Sequence, residues 1–207
     1  AIDGDVTLLL KQNSQFNNNV VFLEKSMING NATVDMDNLS YVSGITVNRD
    51  SAVSKNLTAN VRGTSSVYSS ICAVEGILTD SEYSVGGDIS LTVNGGTCGS
   101  LYGVRSGIVN GSVDVNIVNI GCQNNIYGSS SSQIKGDLTV NAPGSSTVNA
   151  SNVYGADSSS IGGIFKMDYC SGANQNSYVY GLYRSSVDKD VDVHIGNCLL
   201  YTSPSPR

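Results

Sequence analysis

Apolar and polar residues alternate in eight seven-residue segments, which we call heptads, along the chain. Positions 3, 5 and 7 of each heptad are apolar and positions 4 and 6 are mostly polar, as in GDVTLLL at residue 4 and GSVDVNI at residue 111. This period-two alternation predicts eight half-buried β-strands. The heptads begin at residues 4, 30, 55, 87, 111, 136, 163 and 189.

The heptads recur at nearly constant spacing, which indicates a repeat architecture. Their first residues are separated by steps of 26, 25, 32, 24, 25, 27 and 26 residues. The longest step predicts an insertion between Cys72 and Tyr83. Units this small bury their apolar faces by stacking on their neighbours, so the repeat predicts a stack of coils.

Two further columns accompany the heptads. An apolar residue two positions before each heptad predicts a second short strand, and in five repeats a Ser lies two positions earlier still. These apolar residues are Ile28, Val53, Val85, Val109, Ile134, Ile161 and Val187. The third element is YVSG at 41, VYSS at 67, LYGV at 101, IYGS at 126, VYGA at 153 and VYGL at 179. Its Gly predicts a sharp corner with positive φ.

Three short strands per repeat favour a closed coil whose backbone pairs with the coils above and below, about 4.8 Å away. The sequence therefore predicts an all-β fold, a right-handed parallel β-helix (a three-faced β-solenoid) of about eight coils. An antiparallel β-sandwich is the alternative, and the Asn-Gly pairs in INGN at 28, VNGG at 93 and VNGS at 109 favour it. The fixed columns across all repeats favour the solenoid.

The motifs G-[DN]-h-x-h-x-h, h-Y-G and S-x-[VI]-x-G, in which h is apolar, resemble a known class of repeat. They are similar to the Ser/Thr/Asn/Gly-rich β-helical regions of bacterial surface adhesins and autotransporter passengers, over residues 1–197. The resemblance implies a secreted, cell-surface protein of which this chain is a segment, with further coils on both sides.

The last ten residues, CLLYTSPSPR at 198–207, break the repeat pattern. They resemble the translation of a transposase-type sequencing adapter. We therefore expect residues 1–197 to form the β-solenoid domain, and residues 198–207 to be an artefactual tail on a truncated metagenomic gene.

Composition narrows the possible functions. Only 14% of the residues are charged and the net charge is -6, so Ser, Thr, Asn and Gly supply most of the polar surface. An acidic chain without a Lys/Arg cluster argues against a nucleic-acid partner. No apolar run reaches the roughly 20 residues of a membrane-spanning helix.

Tyrosine supplies the candidate binding residues. Tyr68, Tyr102, Tyr127, Tyr154 and Tyr180 each follow an apolar residue, so strand alternation predicts that their rings face outward. Exposed aromatic rings bind the apolar faces of sugars, whereas the alternative is a purely structural tyrosine ladder. We take Tyr102, Tyr127, Tyr154 and Tyr180 as the candidate ligand-binding set, with host or matrix glycans or surface proteins as partners.

Cysteine spacing predicts a contact between two coils. Cys98 and Cys122 both lie 11 residues after the start of their heptads, so they belong to one column of consecutive coils. A coil spacing of about 4.8 Å is within the Cα reach of a disulfide. The sequence leaves open a disulfide in an exported protein or a buried, reduced pair. No C-x-x-C pair indicates zinc, and we expect no cofactor.

The second heptad position is rich in Asp and Asn. It holds Asp5, Asn31, Asn56, Asp88, Ser112, Asp137 and Asp190. Such side chains bond nearby backbone at corners, which predicts a corner ladder. A row of bound Ca²⁺ is the alternative, although the tandem G-G-x-G-x-D repeat of calcium-binding β-rolls is missing.

Acidic pairs decide between a binding protein and an enzyme. Glycoside hydrolysis needs two carboxylates about 5 to 10 Å apart, and Asp168 and Asp192 are the one pair that we place diagonally across a coil step. His194, the only His, has no recognisable nucleophile. We therefore expect a non-catalytic bacterial cell-surface segment that acts in adhesion or as a stalk and binds glycans. The alternative is a carbohydrate-active β-helix enzyme, either a polysaccharide lyase or a glycoside hydrolase.

Overall fold

The computed structural model describes residues 1–11, 15–38, 41–63, 66–77, 79–144, 146–170 and 178–196. These residues form 23 β-strands, numbered here in chain order, and no helix. The strands of successive coils form three parallel sheets, which are the sides of the coil stack and which we call faces 1, 2 and 3. The predicted tail at 198–207 lies outside the described residues.

Face 1 consists of the eight predicted heptad strands. Each pairs in parallel with the next, so that Val115 lies opposite Leu91 on one side and Val140 on the other. The strands are β1 (Val6–Lys11), β4 (Ala32–Asp37), β7 (Leu57–Arg62), β9 (Ile89–Asn94), β12 (Val113–Val118), β16 (Leu138–Ala142), β20 (Phe165–Tyr169) and β23 (Val191–Ile195). This direct stacking of equivalent residues confirms the parallel register and contradicts the β-sandwich.

Faces 2 and 3 complete each coil. Face 2 contains β2 (Gln15–Glu24), β5 (Tyr41–Arg49), β8 (Val67–Glu75), β10 (Thr97–Arg105), β14 (Asn125–Ser130), β18 (Asn152–Asp157) and β21 (Tyr178–Tyr183), with β13 (Ile120–Cys122) and β17 (Val148–Asn149) beside them. Face 3 contains β3 (Met27–Ile28), β6 (Ala52–Val53), β11 (Ile108–Val109), β15 (Gln133–Ile134), β19 (Ser160–Ile161) and β22 (Ser186–Val187). Between β6 and β11, face 3 continues through Val85, which forms single β-bridges with Val53 and Val109.

The chain passes through faces 1, 2 and 3 in turn and then returns to face 1 one coil further along. This path makes seven complete turns among the described residues, and β23 adds an eighth strand to face 1. The molecule is therefore a parallel β-helix of about seven turns. The predicted eight coils counted the last heptad as a full turn.

A single apolar core fills the space between the three faces. The inward residues of the inner heptads are buried, as at Val113, Val115 and Ile117, and so is the predicted face 3 column from Ile28 to Ile161. Burial of one such side chain contributes about 1.5–3 kcal/mol. Apolar packing repeated in every coil is consequently the main stabilising force.

The corner between faces 2 and 3 explains why the Ser column recurs at a constant position in the coils. The residue before each Ser has positive φ, as at Ser131 (φ 51°) and Ser158 (φ 51°). The Ser132 hydroxyl then donates to the Ser130 carbonyl at 2.7 Å, and the Ser132 amide donates to the Ser159 hydroxyl at 3.2 Å. The Ser hydroxyl therefore stabilises the corner of its own coil and also accepts a hydrogen bond from the equivalent Ser of the preceding coil.

The predicted glycine corners in the third element are wrong. Gly103, Gly128, Gly155 and Gly181 lie within strands of face 2, and none has positive φ. A Cβ on Gly128 would collide with Val140 Cγ2 and with the Gly155 carbonyl oxygen. Glycine is needed there because face 1 approaches face 2 too closely for a side chain.

The predicted insertion lies at the third corner between faces 2 and 3. The chain leaves β8 after Glu75 and reaches face 3 again only at Val85. The Ser84 hydroxyl donates to the Gly76 carbonyl at 2.7 Å and accepts from the Ile108 amide at 3.2 Å. These hydrogen bonds give the longer connection the same corner geometry as the other coils. The apolar column of face 3 therefore continues through Val85.

Candidate functional site

Four tyrosines of face 2 form one column, as the sequence predicted. Strand register places Tyr102, Tyr127, Tyr154 and Tyr180 opposite one another in consecutive coils. Their ring centroids are 5.0, 4.9 and 5.1 Å apart, with interplanar angles of 5°, 7° and 13°. We call this set the tyrosine ladder.

The stacking decides which parts of the ladder a ligand can reach. The ring faces of Tyr127 and Tyr154 are largely covered by their neighbours on both sides, because near-parallel rings about 5 Å apart leave no room for a sugar between them. Their edges remain half-exposed. Face-on stacking of a sugar is therefore restricted to the ends of the ladder, and ligand binding by its four tyrosines stays a prediction.

Local bonds hold the ladder in this arrangement. The Asn125 amide donates to the Tyr127 hydroxyl at 2.8 Å, and the Asn152 amide donates to the Asn125 side-chain oxygen at 3.0 Å. Burial raises the pKa of Tyr127 above its usual value, and the Asn125 hydrogen bond opposes this shift. Burial also raises the pKa of Tyr154, with smaller contributions from the adjacent Tyr127 and Tyr180.

Tyr68 lies outside the ladder, so its predicted place in the column is wrong. Cys72 lies opposite Tyr102 in the preceding coil, and Thr46 lies opposite Cys72 in the coil before that. A register shift in β8, between the partners of Cys98 and Ser100, separates Tyr68 from the column. Tyr68 is 64% exposed, and its ring contacts that of Tyr41 at a centroid distance of 5.2 Å.

A polar hollow adjoins the Tyr102 end of the ladder. Its volume is about 500 Å³, within the range of small-ligand sites. Tyr68 and Tyr102 supply aromatic surface, and Arg105 supplies a cation. The remaining lining residues are small or polar: Asn19, Ser43, Ser69, Ser70, Gly99, Ser100 and Asn124. We call this site the Tyr68–Tyr102 hollow.

A ladder of alternating charges leads to the hollow along face 2. Glu24, Arg49, Glu75 and Arg105 lie opposite one another in four consecutive coils. Arg49 lies 3.6 Å from Glu24 and 3.5 Å from Glu75, and Arg105 lies 3.3 Å from Glu75. The next residue in the column is Ser130. We call this set the charge ladder, and Arg105 is its end.

Arg105 also contacts the tyrosine ladder. Its guanidinium carbon lies 5.1 Å from the centroid of the Tyr102 ring, within the range of a cation–π contact. The two ladders therefore meet at one coil, and this junction borders the hollow. Both ladders pass through the same strand, since Tyr102 and Arg105 are three residues apart on β10.

The predicted cysteine column is present. Cys98 lies opposite Cys122 with their Cα atoms 4.7 Å apart, and the structure joins the two as a disulfide. Cys72 is a free, buried cysteine whose thiol lies 3.1 Å from the Val74 carbonyl, and burial raises its pKa. The buried thiol of Cys72 is accordingly a poor nucleophile.

The second heptad position forms the predicted corner ladder. The Asp5 carboxylate accepts a hydrogen bond from the Asn31 backbone amide at 2.7 Å. Hydrogen bonding to Asn31 lowers the pKa of Asp5. The same bond recurs where Asp88 accepts from the Ser112 amide at 2.8 Å. A Cβ on Gly111 would collide with the Asp88 carboxylate, which explains the Gly that opens most heptads. Within the described residues, no three His, Cys, Asp or Glu side chains cluster closely enough to hold a metal.

The candidate acids lie on the outer surface of face 1. Register places Lys166 opposite Asp192 and Asp168 opposite His194, so the two acids are diagonal as predicted. His194 lies 3.7 Å from Asp192, and both side chains are more than half exposed. Basic and acidic side chains thus alternate across this coil step, as in a solvated surface.

Sequence reasoning missed the charge ladder and the hollow. Part of the signal for the charge ladder was present, because two of its four residues lie two positions before a Ser of the corner. Counting back from Ser26 and Ser51 gives Glu24 and Arg49. Counting forward from the heptads failed because the first connection of each coil varies in length.

Comparison with models of known protein families, with characterised proteins and with solved structures finds no match to this chain. The class of the protein therefore rests on its own geometry, which is that of a parallel β-solenoid. Among the residues that the structure describes, no helix has the length and apolar character needed to cross a membrane.

Proposed function

We propose that this chain is a non-catalytic β-solenoid segment of a secreted bacterial surface protein. It acts in adhesion or as a stalk, and it binds host or matrix glycans at the Tyr68–Tyr102 hollow. The observation that carries the proposal is the pairing of a highly exposed aromatic ring with a polar hollow. Tyr68 is 64% exposed, and the hollow beside it is lined by Ser and Asn side chains.

The chemistry of the hollow suits a sugar. An aromatic ring packs against the C–H face of a pyranose, and side-chain hydroxyls and amides bond its hydroxyl groups. Binding at one shallow site is weak, but repeated presentation on a cell surface multiplies it by avidity. The rigid stack of coils would hold the hollow away from the surface that carries it.

A glycan array tests this proposal. Wild-type chain should bind a subset of glycans, and Tyr68→Ala should abolish that binding because it removes the uncovered ring. Tyr178→Ala is the matched control, since Tyr178 is 62% exposed on the same face but does not line the hollow. A blank array for the wild type, or equal loss in both variants, would contradict the proposal.

A carbohydrate-active enzyme is the competing function, and the diagonal placement of Asp168 and Asp192 is the observation that favours it. An enzyme of this kind would degrade a pectin-like polymer and lose that activity in Asp168→Asn. We expect no such activity, because Lys166 and His194 occupy the opposite diagonal beside the two acids and the site is an open surface.

A further inference from the structure

We infer that the Tyr68–Tyr102 hollow selects acidic sugars, with Arg105 as the residue that binds their carboxylate. This inference rests on the proposed glycan binding and names the substrate class of that site. Among the described residues that line the hollow, Arg105 carries the one formal charge. The guanidinium of Arg105 offers a cationic group to an anionic ligand in the hollow.

The position of Arg105 in the charge ladder leaves part of its guanidinium available. Arg49 and Glu75 each contact two oppositely charged neighbours, one in the coil below and one in the coil above. Arg105 has Glu75 on one side and, in register on the other side, Ser130. Its side chain is 47% exposed.

Guanidinium chemistry makes this opening selective for carboxylates. Arginine stays protonated at all physiological pH values, and its planar fork bonds both oxygens of a carboxylate. The Tyr102 ring holds the fork in place through the cation–π contact at 5.1 Å. The site is thereby organised before a ligand arrives, which reduces the entropy lost on binding.

The surroundings of Arg105 place a sugar ring beside the bound carboxylate. Tyr68 presents an exposed ring in the same hollow, and Ser69, Ser70 and Asn124 offer hydrogen-bonding groups. A uronic acid carries one carboxylate on a ring that has an apolar face and several hydroxyls. The hollow therefore matches an oligosaccharide built from uronic acids.

Titration calorimetry with a matched pair of ligands tests the inference. The probes are trigalacturonic acid and its fully methyl-esterified form, which keeps the rings and removes the charges. We expect the wild-type chain to bind the acid at least about tenfold more tightly than the ester, as for a charge-assisted contact. Added salt should weaken binding of the acid and leave binding of the ester nearly unchanged.

Variants then assign the preference to Arg105. Arg105→Gln should reduce binding of the acid to the level of the ester, and Arg105→Lys should give an intermediate value. Arg184→Gln is the matched control, because the Arg184 guanidinium lies over Tyr183 at 5.0 Å but outside the hollow. Circular dichroism of each variant should match the wild type.

Each contrary result has a distinct meaning. Equal binding of acid and ester, no binding of either, or a preference that survives Arg105→Gln would overturn the inference. Full competition by acetate would show capture of a free carboxylate without recognition of a sugar, which also overturns it. An array that responds to neutral glycans alone overturns the acidic preference and leaves the adhesion proposal standing, whereas a blank array overturns both.

Discussion

At the residue scale, the recurring glycines of face 2 are determined by the distance between faces. Gly128 has no positive φ, so its identity does not come from a backbone conformation that other residues avoid. It comes from Val140 and the Gly155 carbonyl, which occupy the space that a Cβ would fill. The h-Y-G motif thus combines an inward apolar residue, an outward ring and a point of close approach.

Gly128→Ala should therefore lower the free energy of unfolding by about 1–3 kcal/mol, the usual cost of overpacking. The measurement is urea unfolding followed by far-ultraviolet circular dichroism. Gly121→Ala is the control, because its Cβ would meet only Thr97 Cγ2, at 3.8 Å. The control should change stability by less than about 0.5 kcal/mol. Equal losses in the two variants would refute the close-approach explanation.

Alkaline pH should destabilise the chain through the tyrosine ladder. Burial raises the pKa of Tyr127 and Tyr154 above 10.0, their ordinary value, so the folded state holds these protons more tightly than the unfolded state. The resulting stabilisation is complete below pH 10.0 and is lost as pH rises through the raised pKa. The free energy of unfolding should fall above pH 10.0, and less steeply in Tyr127→Phe.

This pH dependence is measured by urea unfolding at several alkaline pH values, with the tyrosinate absorption band recorded alongside. Tyr68→Phe removes the same hydroxyl from an exposed ring outside the ladder. If Tyr127→Phe and Tyr68→Phe change the pH slope equally, burial within the ladder is not the cause.

At the scale of elements, strand register converts scattered residues into ladders. The corner carboxylates, the Ser corners, the tyrosines and the alternating charges each lie in one column because every coil adds one strand to each face. Exposed ion pairs contribute at most about 1 kcal/mol each, so the charge ladder adds little stability. It favours the native register instead, since a slip by one coil would place like charges together.

The Cys98–Cys122 link joins two successive coils, and we expect it to form when the protein is oxidised. It closes a loop with a sequence separation of 24 residues, for which chain entropy predicts about 3.5 kcal/mol of stabilisation. Cys98→Ala should lose about this amount, and adding Cys122→Ala should lose little more because the bond is already broken. Urea unfolding and mass spectrometry of the alkylated chain measure both quantities.

The disulfide would be contradicted if the stability losses of Cys98→Ala and Cys122→Ala added up in the double variant. Complete alkylation of Cys98 and Cys122 in the unreduced folded chain would contradict it as well. The Cys72→Ala variant is the comparison for simple loss of packing, since Cys72 is a buried, free cysteine on the same face.

Faces differ in how well the sequence specifies them. Every heptad strand was predicted correctly, because strict alternation of buried and exposed residues reports face 1 directly. The face 3 column was equally regular. Face 2 was misaligned in the second and third coils, where β-bulges shift the register and Tyr68 resembles a ladder residue. The hollow arises from three-dimensional packing around those irregularities, so no local sequence pattern predicts it.

At the scale of the whole molecule, a solenoid lacks contacts between distant parts of its chain. Each coil packs only on its two neighbours, so stability is a sum of nearest-neighbour contributions, and inner coils receive two of them. Among the described residues, β23 has one neighbouring strand on face 1, and its inward residues Val191, Val193 and Ile195 are 51%, 36% and 47% exposed. The equivalent residues of the central coils are buried.

The same substitution in one column should therefore have effects that depend on the coil. Val115→Ala, in a fully buried position, should lower the free energy of unfolding by about 2–3 kcal/mol, whereas Val193→Ala should cost less than about 1 kcal/mol. Urea unfolding measures both, and amide hydrogen exchange should show slow exchange in β12 and fast exchange in β23. Because both valines occupy heptad position 5, side-chain chemistry and strand geometry are matched. Equal losses, or uniform exchange along the chain, would mean that the coils unfold as one cooperative block rather than from the ends inward.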